Sequence, residues 1–187
     1  MQRLALDVDA LVHARRPGLI SEIEALIGAL PDGAYIERSV YHHDAARSGL
    51  LPVLEDWQAR GLLRVPVDYR GLHEGDRQFR AIGARREWKR LSPQDRATLV
   101  TALALEDCAV LTCEKLLTNA VEEYGLIALD LFDIVRYGIQ ADRLTVTRAK
   151  EMCAEWDGNR FSAGRPPGYR GFDAERSHRD GGKPLRI

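Results

Sequence analysis

The 187-residue chain carries 28 acidic and 27 basic side chains, for a formal net charge of −1, and 45% of its residues are hydrophobic. That length supports one α/β domain with a sizeable core, and the near-zero charge excludes the global field that marks a nucleic-acid binder, so any such surface must be local. Three cysteines, Cys108, Cys113 and Cys153, without CxxC spacing, argue against a disulfide framework and against a zinc site.

Leu4–Leu11, read L-A-L-D-V-D-A-L, is expected to be a strand buried on both faces. Asp7 and Asp9 stand two residues apart and would leave such a strand on the same side. A buried ionised carboxylate costs roughly several kcal/mol unless it meets a cation, donated hydrogen bonds or a shifted pKa. The alternative puts the pair at the strand's carboxyl end, where one of them begins a turn and caps the next helix. Ala14–Gly18 reads as a loop. Ser21, three residues before Glu24 in capping-box spacing, opens a helix to about Leu30 with Ile23, Leu26, Ile27 and Leu30 on its buried face. Ala34–Ile36 is a second short strand, followed by Glu37–Asp44 with its run Tyr41-His42-His43-Asp44. Leu50–Arg60 is helical and stops at Gly61, and Leu62–Val67 is a strand whose Pro66 suits an edge position.

Asp68–Arg90 is rich in charge, with a solvated helix over Phe79–Trp88. Its basic cluster of Arg77, Arg80, Arg85, Arg86, Lys89 and Arg90 is either a solvated face or a phosphate-binding surface. Ser92-Pro93-Gln94-Asp95 supplies a capping serine, proline at the first helical position and an acid at N3, so a helix runs through about Glu106. Ala109–Thr112 is a strand, Glu114–Tyr124 a helix stopped by Gly125, and Leu126–Leu129 the last strand. Leu131–Tyr137 and Thr145–Trp156 form two helices around Gly138, a pair that either covers the sheet or makes a homodimer. The domain therefore spans 1–156, and 157–187 is a flexible tail in which Arg160, Phe161, Arg165, Tyr169, Arg170 and Phe172 interleave cations with aromatics.

Alternating strands and helices predict an α/β fold of three layers, α/β/α, with a mostly parallel central sheet. Sites in such sheets lie at the carboxyl ends of the strands, where Asp7, Asp9, Thr112, Cys113, Glu114 and Asp130 fall. The first residues lack a charged-then-apolar signal pattern, and no run approaches the roughly 18 apolar residues of a membrane span. A cytoplasmic protein without membrane contact is expected.

The order of acids is Asp7 after the first strand, Asp95 in the first turn of a capped helix and Glu114 just after a strand ending in Thr112. Together with L-S-P-Q-D-R-A-T-L-V-T-A-L-A-L-E and A-V-L-T-C-E-K-L-L-T-N-A-V-E-E-Y-G-L, it resembles the PIN-domain nucleases over about residues 3–138. The later helices, through Trp156, are similar to an extension some members carry. The resemblance implies an endoribonuclease using Mg2+ or Mn2+ on single-stranded or structured RNA, often as a toxin partnered by an antitoxin protein. It matches Asp7, Asp95 and Glu114 to the catalytic, metal-binding acids and Asp9 to a supporting polar position. The family's glutamate after the second strand aligns with His43, with Asp44 one residue later, and Thr112 is placed to hydrogen-bond a carboxylate or the attacking water. Two further readings stand beside it. The D-V-D of the first strand also resembles haloacid-dehalogenase-type phosphotransferases, with Asp7 as nucleophile and Asp9 as acid or base. A PIN-like fold with an eroded site, for which His43 is the main support, would instead bind RNA or protein without catalysis.

Overall fold

The computed structural model of the chain describes residues 1–64 and 66–158. Four strands, β1 (Arg3–Leu6), β2 (Ala34–Tyr35), β3 (Cys108–Leu111) and β4 (Ile127–Leu129), form a parallel sheet in the order β2-β1-β3-β4. Leu4 lies opposite Ala34 on one side and Ala109 on the other. The chain moves outward from β1 to β2, then returns past β1 to place β3 on its far side. The strand order therefore reverses between β1 and β3, and the crevice outside their carboxyl ends is where open parallel sheets take ligands.

Side-chain alternation along the strands separates two cores. Leu4, Leu6, Ala109 and Leu111 face one side, against α1 (Val8–Arg15), α2 (Ile20–Gly28), α4 (Leu51–Ala59), α8 (Leu131–Gln140) and α9 (Val146–Gly158). Ala5, Cys108 and Val110 face the other, against α5 (Gly75–Ala84), α6 (Pro93–Ala104) and α7 (Lys115–Glu123). This is the expected three-layer α/β/α arrangement. Ala149, Met152 and Cys153 of α9 join the first core, so the helical pair covers that face of the sheet.

The first strand is shorter than expected: it ends at Leu6, and Val8–Arg15 is helical. Val8, Ala10, Leu11 and Ala14 are buried at helical spacing, and the Asp7 carboxylate accepts the Asp9 N–H as an N-cap. Asp9 consequently sits in the first turn of α1, exposed, rather than beside Asp7 on a strand face. The loop expected over Ala14–Gly18 begins only after Arg15. Ser21 does not cap α2; the helix begins at Ile20, and the Ser21 hydroxyl donates to the Gly18 carbonyl at 3.3 Å. Ile23, Leu26, Ile27 and Leu30 are all buried as expected.

The strand expected over Leu62–Val67 is reduced to two parallel bridges outside β2, Leu63 to Ala34 and Val67 to Glu37. Pro66 has no N–H for a continuous ladder. Between β2 and α4, Val40–Ala45 makes a π-helical turn that runs into the single turn α3 (Ala46–Ser48) and stops at Gly49. The charged helix lies at Gly75–Ala84, earlier than the Phe79–Trp88 expected, with a 3-10 turn at Arg86–Trp88. Its basic residues are partly spent in ion pairs: Arg77 meets Glu74, and Arg85 bridges Glu87 and Glu123. Helix α6 ends at Ala104, before two residues of positive φ, Glu106 and Asp107. Gly138 lies inside α8 instead of between helices; a Cβ there would come within 2.7 Å of Leu144 Cδ1, so the glycine lets the α8–α9 connection pack closely. Helix α9 extends to Gly158, and the remainder of the expected tail, including Arg160, Phe161, Arg165, Tyr169, Arg170 and Phe172, lies outside the described residues. The three cysteines are free thiols. Among the described residues no helix is long and apolar enough to cross a membrane.

Two left-handed glycines give a direct test of this packing. Gly33 has φ 71°, and an added Cβ would stand 2.6 Å from the Leu62 carbonyl oxygen, which is held there by the Ala34 N–H at 2.9 Å. Gly61 has φ 74° and open space around it. Gly61→Ala should cost only the left-handed penalty, about 1 kcal/mol, whereas Gly33→Ala should lose about 2–3 kcal/mol because the β2 edge must also shift. Urea denaturation of the two variants measures the difference; equal losses would mean that the Leu62 contact does not hold this edge.

Candidate active site

The crevice between β1 and β3 is framed by side chains fixed at the starts of helices. Asp7 follows β1 and is 8% exposed. Its Oδ2 accepts the Thr112 hydroxyl at 2.7 Å and its Oδ1 accepts the Asp9 N–H at 3.3 Å. Thr112 follows β3, is fully buried, and in turn accepts the Glu114 N–H at 3.0 Å. A chain of hydrogen bonds thus runs from Glu114 through Thr112 to Asp7 and ties the two strand ends together. Glu114 caps α7 by accepting the Leu116 N–H at 3.1 Å. Asp95 completes a reciprocal capping box with Ser92 at the start of α6, both bonds 3.0 Å. Asp130, at the end of β4, caps α8 in the same manner.

The electrostatics link these acids to one another. Burial pushes the Asp7 carboxyl from 3.8 up to about 7; the Thr112 hydrogen bond opposes that rise, and the charges of Asp9 and Asp95 add to it. Burial also raises Asp95, against the two Ser92 donors, with Glu114 and Asp9 contributing repulsion. Asp44 is raised by burial and by Asp9, with Arg47 and His43 in partial compensation. Asp7, Asp9, Asp44, Asp95 and Glu114 therefore share one negative field. Structural acids more commonly sit against cations, and raised carboxyls gathered in a cleft mark a functional site.

Of the two neighbours at the end of the π-turn, Asp44 is the one half-buried and coupled to Asp9, while His43 and His42 are exposed. A π-turn holds one more residue than an α-helical turn, so residues beyond it are rotated relative to α-helical register. Sequence alignment assumes the α-helical register and therefore lands on position 43. Cys113 is buried, and burial together with Asp130 and Asp7 drives its thiol well above the ordinary value, so it stays protonated and is no nucleophile.

A cavity of about 610 Å³ opens on the flank of the acids, between the β2–π-turn segment and the start of α6. Glu37, at its floor, is buried and accepts the Ser39 N–H at 2.6 Å, the Val40 N–H at 3.3 Å and the Ser39 hydroxyl. Sequence reading passed over Glu37. Its signal was an acid two residues before a serine at the end of an apolar strand, a local pattern that marks a turn start. Among the described residues, no three His, Cys, Asp or Glu side chains already close on a common point as metal ligands do. Comparison with protein-family models, curated proteins and solved structures gave no match to this chain.

Asp7 makes the metal-free fold sensitive to pH with a definite sign. Below about pH 4 the side chain is protonated folded and unfolded, so it contributes nothing. From there to about pH 7 the folded chain keeps a proton that the unfolded chain has lost, and stability falls as pH rises; above 7 the penalty is complete. Its ceiling is on the order of 4 kcal/mol. Asp7→Asn should remove this slope, matching wild type near pH 4 and exceeding it at pH 8 in urea melts with EDTA. Parallel pH profiles for the two proteins would show that Asp7 is not buried as a carboxylate.

Proposed function

We propose that the protein is a PIN-type, divalent-metal-dependent endoribonuclease in which Asp7, Asp95 and Glu114 hold the cation. The observation that carries this reading is the concentration of mutually repelling carboxylates at the strand-order reversal, with Asp7 raised to about 7. Three carboxylates from three different elements form a hard-oxygen donor set, which suits Mg2+ or Mn2+. Bound there, the cation supplies Lewis acidity toward a phosphodiester and toward water.

The protein's own groups do the remaining work. Thr112 fixes the orientation of Asp7 through its 2.7 Å hydrogen bond. The capping bonds of Asp95 and Glu114 hold each carboxylate on a rigid helix start, so neither has to be ordered when substrate arrives. Asp9 and Asp44 deepen the negative field without needing to touch the cation. RNA reaches this crevice from the side of the 610 Å³ cavity, since β1 and β3 close it from below.

The phosphatase reading is supported less well: it needs a freely ionised Asp7 as nucleophile, and it gives Asp95 and Glu114 no task. The non-catalytic reading has one observation in its favour, the lack of a preformed three-ligand cluster among the described residues.

Thermal melts and turnover assays distinguish the three. Saturating Mn2+ or Mg2+ should raise the wild-type melting temperature by roughly 5–10 °C and support cleavage of single-stranded RNA. Asp95→Asn should leave the metal-free protein as stable or more so, shrink the metal-induced shift and lower cleavage at least ~100-fold. Asp44→Ala should weaken the metal response more than His43→Ala. Turnover of a phosphate monoester in place of RNA would select the phosphatase, and no metal response together with no cleavage would select the binding module.

A further inference from the structure

The acids account for one side of the crevice; the cavity on its flank has the opposite character. Arg38, His42 and His43 reach it from the segment after β2, and Arg70 reaches it from the facing turn. Arg38 is 62% exposed and meets Asp68 only at 4.0 Å, a loose surface pair that leaves its guanidinium able to take another anion. Glu37 adds a negative charge to the floor, but its oxygens are committed to the donors of Ser39 and Val40. Tyr69 and Phe79 form the apolar wall; they stack on each other at 4.7 Å, and the guanidinium of Arg96 covers Phe79 at 4.8 Å. Their open edges, not their faces, line the space.

Two shared walls join the cavity to the acids. His43 belongs to it and Asp44 to the acidic side; Gln94 belongs to it and Asp95 to the acidic side. A ligand that fills both must therefore carry anionic groups in series, one for the cationic rim and one for a cation held by the carboxylates. A polynucleotide strand does so. The volume of about 610 Å³ falls within the range that encloses a small organic ligand, and Gln94, Ser39 and Asp68 offer hydrogen-bonding groups for a base edge. A base enters such a concavity only when it is not paired.

We propose that the cavity walled by Arg38, His42, His43, Arg70, Tyr69 and Gln94 is a subsite for one unpaired nucleotide of the strand, adjoining the bond to be cut. Its phosphate lies among Arg38, Arg70 and the two histidines, and its base lies against the Tyr69 and Phe79 edges. The proposal rests on the nuclease reading for the identity of the strand as substrate, and it makes the enzyme specific for single-stranded segments.

The test is fluorescence anisotropy with a short labelled single-stranded RNA in EDTA, across a salt series, with RNA cleavage measured separately. The proteins are wild type, the double variant Arg38→Gln/Arg70→Gln, the double variant His42→Ala/His43→Ala, and Arg148→Gln as a control on exposed α9. All four are first compared by melting temperature. Wild type should bind the single strand at least ~10-fold more tightly than the same sequence as a duplex. The arginine variant should lose ~10-fold in affinity, and its slope of log affinity against log salt should flatten by about 0.7 for each phosphate that is no longer neutralised. The histidine variant should lose affinity at pH 6, and Arg148→Gln should match wild type. Unchanged affinity and slope in both double variants, equal binding of duplex, or no binding by wild type would each overturn the subsite. Strand binding that depends on these residues without cleavage under any divalent metal would retain the subsite and remove the nuclease reading. Cleavage with KM unaltered by the double variants would do the reverse.

Discussion

Asp7 gives up most of its hydration at the end of β1, and two donated hydrogen bonds, from Thr112 and from the Asp9 backbone, are what it receives in return. Both depend on the parallel register of the two central strands. Leu6 lies opposite Leu111, the Asp7 N–H reaches the Leu111 carbonyl at 3.0 Å, and residue 112 therefore arrives beside residue 7. An error of one residue in this register would turn Thr112 away and leave the carboxylate with a single donor. The buried pair thus fixes the geometry from which the other acids are arrayed.

The same carboxylates have local work to do. Asp7, Asp95 and Glu114 each satisfy backbone N–H groups at the start of a helix, contributions of roughly 0.5–2 kcal/mol apiece, and each benefits from the positive end of the helix dipole. These gains offset part of the repulsion among them. An arginine placed among them would neutralise the field more completely, but it would also fill the crevice at the strand ends. Caps hold the acids in place while leaving their outward side open, and the residual strain is visible in the raised carboxyls of Asp7, Asp44 and Asp95.

Segregation of charge is the second feature of the crevice. A chain of net charge −1 gives no hint of it, because the acids after β1 and β3 and the cations after β2 cancel in the sum. The π-turn Val40–Ala45 is the device that separates them locally: it presents His42 and His43 to the flank and turns Asp44 toward Asp9. Glu37 anchors that turn by taking up the N–H groups of Ser39 and Val40. The turn therefore forms part of the boundary between an acidic crevice and a basic flank.

Much of this architecture follows from local chemistry that a sequence displays directly. The apolar face of Ile23, Leu26, Ile27 and Leu30, the Ser92–Asp95 capping box, and the alternation of strands with helices are short-range properties, and they determined the layered fold and the acids at its strand ends. The run L-A-L-D-V-D-A-L was ambiguous because its apolar residues suit a strand and a helix equally; the Asp7 cap and the packing of Val8, Ala10, Leu11 and Ala14 against the first core decided where one gave way to the other. The choice between His43 and Asp44 belonged to the tertiary structure as well, since it turns on one extra residue in a π-turn, which no propensity encodes. So did the partnership of Asp7 with Thr112 and the cavity shared by Arg38 and Arg70. These join residues far apart in the chain, and sequence order carries the identities of such groups but not the distances at which folding sets them.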